Sequence, residues 1–299
     1  MTVSGDLPRG VTGVHALPAG HHDGPWDSIV VPDGTRERLL GTALVSMLHG
    51  RRLSALPAAA SPSGLIVLAG PPGTGKTTLA QGLAQAAALA VAQHGATTLI
   101  EVDPHAMPSE MLGESQRNVV RLLRDHVPQL AGSRPHVIVV IDEVESFAMR
   151  RSLASFETNP VDVQRATDAV LAGLDHLATA LPGAVIVTTT NFVSAVDEAF
   201  LSRADLVIEL GLPGPDARAR IMEMALSDLA LSWPSLSDLA SDPALHKEVA
   251  GLTEGWDGRR LRKLPLAVLG SDPALARDPE SLTARRLRDA AAWGRSEPA

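Results

Sequence analysis

The run GPPGTGKTT at residues 70–78 carries the most specific chemistry in the chain. Its spacing, Gly70 followed by Gly75-Lys76-Thr77, is that of a P-loop, provided a strand precedes it and a helix follows. Glycines let backbone N–H groups converge on phosphate oxygens, and the N-terminus of the following helix adds the positive end of its dipole. Pro71, Pro72, Gly73, Thr74, Gly75, Lys76, Thr77 and Thr78 thus form a phosphate-binding segment. In it Lys76 reaches the β- and γ-phosphates, and the Thr77 hydroxyl can hold Mg²⁺. Lys76 is also the one lysine in the first 246 positions.

A second group completes a hydrolytic set. VIVVIDE at 137–143 reads as a buried strand ending in two carboxylates. Asp142 can bind the Mg²⁺ water shell, and Glu143 can polarise an attacking water. Asn191 follows AVIVTTT at 184–190, where its amide would face the γ-phosphate and help orient that water; a plain turn asparagine is the other reading. Arg203, in FLSRADL, lies past the next helix. It is either an arginine finger entering a neighbour's site, where it would stabilise transition-state charge, or a surface salt-bridge arginine. His21, His22 and Asp23 could in principle hold a metal but read as a short polar lead-in.

These groups need a sheet to bring them together. Apolar runs at 64–69, 97–102, 137–142, 184–190 and 205–210 alternate with helical patterns over about 75–93, 114–127 and 161–178. Unbroken apolar strands alternating with helices imply a parallel sheet covered on both faces, a three-layer α/β/α domain. Residues 1–24 lack any period and read as a loose tail, with the α/β domain expected over 25–212. Past the break at Pro213-Gly214-Pro215 the β signal stops. Helical patterns at 216–231, 243–250, 258–269 and roughly 281–292 imply a small all-helical domain over 213–299.

The bulk numbers limit the function. With no cysteine among 299 residues, disulfides and thiolate metal sites are excluded, and an intracellular, cytoplasmic setting is expected. No signal-peptide pattern and no run of about eighteen apolar residues is present, so no membrane contact is expected. A net charge of -8 opposes general binding to DNA or RNA. The cluster GWDGRRLRKLP at 255–265 is the exception to that acidity. Asp257 is a fair N-cap there, with Arg259, Arg262 and Lys263 on one helix face and Leu261, Leu264 and Val268 on the other. Pro265 leaves the helix phase beyond it open.

Taken together, P-loop, strand-terminal Asp-Glu, strand-end Asn, downstream Arg and helical lid resemble an AAA+ ATPase. The segments WDSIV, IDEVES, NPVDVQRATDAVLAGLDHL, TTTN, FLSRADL and GWDGRRLRKLP resemble the pachytene checkpoint protein 2 family over about residues 25–270. The resemblance implies a homo-oligomeric ring, a hexamer, that uses ATP and Mg²⁺ to remodel HORMA-domain proteins. Bacterial relatives restrain a HORMA-activated nucleotidyltransferase in cyclic-oligonucleotide anti-phage systems, so a nucleotidyltransferase becomes an indirect partner. The family's sensor-2 arginine falls on Arg259, which would reach the γ-phosphate bound to its own subunit. Its first pore loop falls on SEMLGES at 109–115, where Met111 and Leu112 stand in place of bulky aromatics; packing against the sheet edge is their other reading. A second pore loop would span 147–159, and the short lead segment cannot serve as the substrate-adaptor domain of eukaryotic members. A nucleic-acid-dependent AAA+ switch or loader is the competing function, and it would need a basic stripe that the composition lacks.

Overall fold

The computed structural model describes residues 7–57, 60–104, 114–146, 148 and 160–294, without the side chains of 114–116 and 160–166. Met111 and Leu112, and the stretch 147–159 apart from Ala148, therefore lie outside the described residues. The chain divides into two compact units, one of Met1–Trp26, Asp33–Gly70 and Lys76–Glu209, the other of Asp27–Pro32, Pro71–Gly75 and Leu210–Ala299.

In the first unit, strands β1 (Val11–Leu17), β2 (Leu65–Ala69), β3 (Thr97–Val102), β4 (His136–Ile141), β5 (Val185–Thr190) and β6 (Leu206–Glu209) form one sheet in the order β1-β3-β4-β5-β2-β6. From β3 to β6 every pairing is parallel, whereas β1 runs antiparallel to β3. Two expectations are corrected by β1. The segment 1–24 is not a loose tail throughout, and the sheet is mixed rather than wholly parallel. A bulge hides this strand in the sequence: Val11 pairs with Val102 and Gly13 with Glu101, so Thr12 is an extra residue. Buried Val11, Val14 and Leu17 consequently recur every third position, which hides the two-residue period of a strand.

Helices cover both faces of this sheet. After the short α1 (Pro25–Ser28) follow α2 (Thr35–Leu53), α3 (Lys76–Ala90), α4 (Glu114–Arg121), α5 (Val127–Ala131), α6 (Pro160–Ala180) and the short α7 (Glu198–Leu201). One face is a single apolar cluster. Alternate strand residues Leu65, Val67, Ile100, Val139, Ile141 and Ile186 meet Val119, Val127, Val170, Leu171, Leu174 and Leu177 there. The other alternates, among them Ile66, Leu68, Leu99, Ile138 and Val187, are equally buried, and α3 packs against β2, β4 and β5. Burial on both faces is why these strands are continuously aliphatic. Near the chain start a turn at Gly20–His22 brings the rings of His21 and His22 against His15 of β1. Burial first, then the neighbouring His15 and His21, lower the pKa of His22 below the usual histidine value.

The second unit gathers α8 (Pro215–Ala230), the short α9 (Ser237–Ala240), α10 (Pro243–Leu252), α11 (Gly258–Gly270), α12 (Pro273–Arg277) and α13 (Ala284–Gly294) around one core. That core includes Met222, Leu226, Leu245, Val249, Leu261 and Leu287. Asp242, Asp257 and Asp272 cap α10, α11 and α12 by accepting backbone N–H groups. Pro265 does not interrupt α11, whose apolar face of Leu261, Leu264 and Val268 stays buried along its length. Buried Arg218 is answered by the carbonyls of Ala250 and Pro213 at 2.8 and 2.9 Å. No helix among the described residues is long and apolar enough to cross a membrane.

Two helical glycines should respond with opposite sign. A Cβ at Gly82 of α3 would stand 2.5 Å from the backbone N of Trp26, whereas at exposed Gly41 of α2 it meets nothing within 4 Å. Gly82→Ala should cost about 1 to 3 kcal/mol by overpacking. Gly41→Ala should add about 0.5 to 1 kcal/mol by restricting the unfolded chain. Urea unfolding of the two variants checks the pair, and the same sign for both would reject the packing account.

Candidate nucleotide site

The order of the sheet explains how distant motifs meet. β4, β5 and β2 are consecutive neighbours and parallel, so the loops leaving them emerge at the same edge. Those loops carry Asp142-Glu143, Asn191 and Gly70. Open parallel sheets bind ligands at such carboxyl ends.

In the first unit these residues form one hydrogen-bonded network. Lys76, the first residue of α3, is only 6% exposed. Its Nζ donates to the Gly70 carbonyl at 2.8 Å and to Asn191 Oδ1 at 2.9 Å. Asn191 Nδ2 in turn donates to Glu143 Oε1 at 3.1 Å. The amide can sit only one way round, because its oxygen must face an ammonium and its NH₂ a carboxylate. Beside it, Thr77 Oγ1 lies 3.0 and 3.2 Å from the two Asp142 oxygens. Hydroxyl and carboxylate oxygens at that separation suit a hard divalent cation such as Mg²⁺.

Glu143 is the one non-glycine residue with positive φ among the described residues, at 51°. Such a backbone costs of order 1 kcal/mol or more, and it turns the side chain out of the strand line. Thr189, buried in β5, supports the turn from beneath. Its Oγ1 accepts from the Glu143 N–H at 3.1 Å and donates to Asp142 Oδ1 in a short contact. Glu145 Oε1 accepts from the Asn191 N–H at 3.0 Å. Neither Thr189 nor Glu145 had been singled out from sequence. The threonine run TTT at a strand end was the available signal for Thr189, since a buried hydroxyl needs partners.

The remaining P-loop residues belong to the second unit, and each of its two turning glycines has a reason. Gly73 and Gly75 adopt φ of 79° and 92°. A Cβ on Gly73 would lie 2.1 Å from Asp257 Oδ1, and one on Gly75 would lie 2.7 Å from Ile29 Cδ1. The carbonyl of Gly73 accepts from the Arg259 N–H at 3.1 Å, and Thr74 Oγ1 donates to the Pro71 carbonyl at 2.9 Å. Turns without side chains leave their backbone N–H groups open to phosphate oxygens. Arg259 itself is exposed, at the first turn of α11.

Not every candidate joins the network. Arg203 binds Asp175 at 3.3 and 3.4 Å and the Ala199 carbonyl at 3.0 Å, and no member of the Lys76 network is among its partners in the described residues. The basic cluster on α11 is dispersed rather than pooled. Arg260 stacks 3.8 Å over Trp256 and donates to the Gly294 carbonyl, whereas Arg262 pairs with Asp228 and the Ser28 carbonyl.

Comparison with known proteins agrees with this geometry. Residues 66–212 match the family described as "ATPase family associated with various cellular activities (AAA)", so the site is that of an AAA ATPase domain. CD-NTase-associated protein 6 of Pseudomonas aeruginosa is 42% identical over 287 residues, covering 95% of this chain and 92% of that protein. The pachytene checkpoint protein 2 homolog of Arabidopsis thaliana is 34% identical over 83% of this chain, which spans only 59% of that relative. A chain of the E. coli MS115-1 HORMA:CdnC:Trip13 complex superposes with a TM-score of 0.73 at 18% identity, covering 94% of each chain. C. elegans PCH-2 gives the same score at 22% identity, over 98% of this chain and 76% of that one. The chain belongs to the pachytene checkpoint protein 2 family of AAA ATPases.

Thr189 offers a test of the network. Thr189→Val keeps the volume but removes both hydrogen bonds, and ATP turnover should fall about tenfold, the kinetic equivalent of about 1.4 kcal/mol. Thr189→Ser should retain the rate. Steady-state ATPase assays distinguish them, and equal rates for the two variants would take the hydroxyl out of the account.

Proposed function

We propose that this chain is an ATP-hydrolysing, ring-forming remodeller that opens or disassembles complexes of a HORMA-domain protein. It would act in the cytoplasm as a regulator of bacterial anti-phage signalling that involves a nucleotidyltransferase. The observation that carries the reading is the likeness to CD-NTase-associated protein 6, which extends over nearly the whole of both chains. The fold shared with a chain from a complex containing HORMA and CdnC is consistent with it.

The residues support a division of labour. Backbone N–H groups of Gly73 to Lys76 bind phosphate oxygens, and the Lys76 ammonium offsets their charge. Thr77 and Asp142 would hold Mg²⁺, which supplies further charge neutralisation at the phosphates. Glu143 polarises the attacking water and takes its proton on the carboxylate, while Asn191 holds that carboxylate in place. Arg259, at the start of α11, reads the γ-phosphate bound to its own subunit. Arg203 acts across a subunit boundary in a homo-oligomer, a hexamer, after leaving Asp175. Met111 and Leu112 grip the substrate chain with flexible apolar surface.

Two experiments test the reading. Glu143→Gln should keep ATP affinity while lowering hydrolysis by about a hundredfold or more. The same variant, locked with ATP, should retain a purified HORMA-domain protein in its closed, partner-bound form without opening it, while wild type opens it. Failure of wild type to open that protein would sink the substrate assignment and leave the ATPase intact. For Arg203, the measurement is ATPase rate across mixtures of Arg203→Ala with Lys76→Ala subunits. A finger acting in trans gives a composition-dependent rate above that of either variant alone, whereas inactivity at every mixing ratio rejects it.

A further inference from the structure

Three histidines that the nucleotide chemistry does not use converge beside the edge of the sheet. One nitrogen from each of His15, His21 and His22 lies within 4.8 Å of the other two. His22 packs its ring centroid 4.9 Å from that of His15 and 4.4 Å from that of His21. We propose that these three side chains form a binding site for a zinc-class divalent transition cation. Three imidazoles with an open fourth position suit such an ion, and Mg²⁺ and Ca²⁺ prefer oxygen ligands.

Several independent features mark the site as built. His22 Nε2 is buried and has no hydrogen-bond partner among the described residues. That ring nitrogen is left open to a ligand from outside the chain. The His15 ring is fixed by Glu101 Oε2 at 3.0 Å from Nε2, and Glu101 Oε1 accepts from Gln81 Nε2 at 2.8 Å. A carboxylate that orients an imidazole in this way is the usual support of a histidine metal ligand. Room for that pair comes from Gly13, where a Cβ would stand 2.5 Å from His15 Nε2 and 2.7 Å from Glu101 Oε2. On the other side, buried Gln85 clamps the turn that carries His21 and His22. It accepts from the Ala19 N–H at 3.1 Å and donates to the Ala19 carbonyl at 3.1 Å and to Asp23 Oδ1 at 2.7 Å. Nitrogens about 2.1 Å from one zinc ion stand about 3.4 Å apart in a tetrahedral site. The three nitrogens, already within 4.8 Å of one another, would draw in to that spacing on binding. The ion would tie β1 to the turn that follows it, so metal binding adds to stability by mass action.

The test uses the full chain after chelator treatment, with Mg²⁺ in excess to satisfy Thr77 and Asp142. Co²⁺ is titrated first, and Zn²⁺ then displaces it. Wild type should take up one equivalent of Co²⁺ per chain with visible absorption typical of a low-coordinate nitrogen site, and Zn²⁺ should raise its Tm. His21→Ala and His22→Ala should abolish both signals, whereas His49→Ala, a change at an exposed histidine of α2, should leave them unchanged. Glu101→Gln should keep the spectrum and weaken binding by about tenfold. His21 is exposed, so its variant folds and remains informative even if His22→Ala does not. No visible band in wild type, or an unchanged band and Tm shift in His21→Ala, would overturn the site.

Discussion

A buried ammonium organises the first unit. Lys76 is almost wholly removed from water, and a charge so placed must be answered by oriented oxygens. The Gly70 carbonyl and the Asn191 amide supply them, which requires the ends of β2 and β5 to be neighbours. That adjacency, extended by β4, brings the carboxylates of Asp142 and Glu143 to the same edge. Strand order thus does here what no local motif could, joining three separate sequence segments into one polar network at one edge of the sheet.

The second unit works by exclusion of side chains. Gly73 and Gly75 are glycines for two reasons at once, since both have left-handed backbone and both have their Cβ space already filled. Asp257 fills one and Ile29 the other. The same Asp257 caps α11 through the Arg260 N–H at 2.9 Å, so a single carboxylate sets the start of that helix and borders the phosphate-binding turn. WDSIV and GWDGRR are accordingly informative segments, because each places a side chain against a P-loop glycine.

Much of this was legible in the sequence where the signal is local. Strand–glycine turn–helix at 64–90 and the apolar strand ending in Asp142-Glu143 are short, contiguous patterns, and the helices of the second unit keep a clear 3.6-residue period. What could not be read depends on pairing across distance. Thr12 bulges out of β1 and scrambles its period, so the strand looked like a tail. Thr189 bridges Asp142 and the Glu143 backbone only because β5 lies beside β4. His15 gave no metal-ligand signal because its partners, His21, His22 and Glu101, are assembled by that same hidden strand. Arg203 was read two ways, and within one chain it occupies the salt-bridged one.

That last pair has a consequence for how the single chain behaves. Asp175 is 61% exposed and the Arg203 side chain 35%, so the bond between them is worth about 0 to 1 kcal/mol. Such a bond is a parking place: firm enough to keep the guanidinium from roaming, weak enough that a more negative partner draws it away at little cost. The guanidinium is thereby lightly held, and a surface of denser negative charge can draw it off.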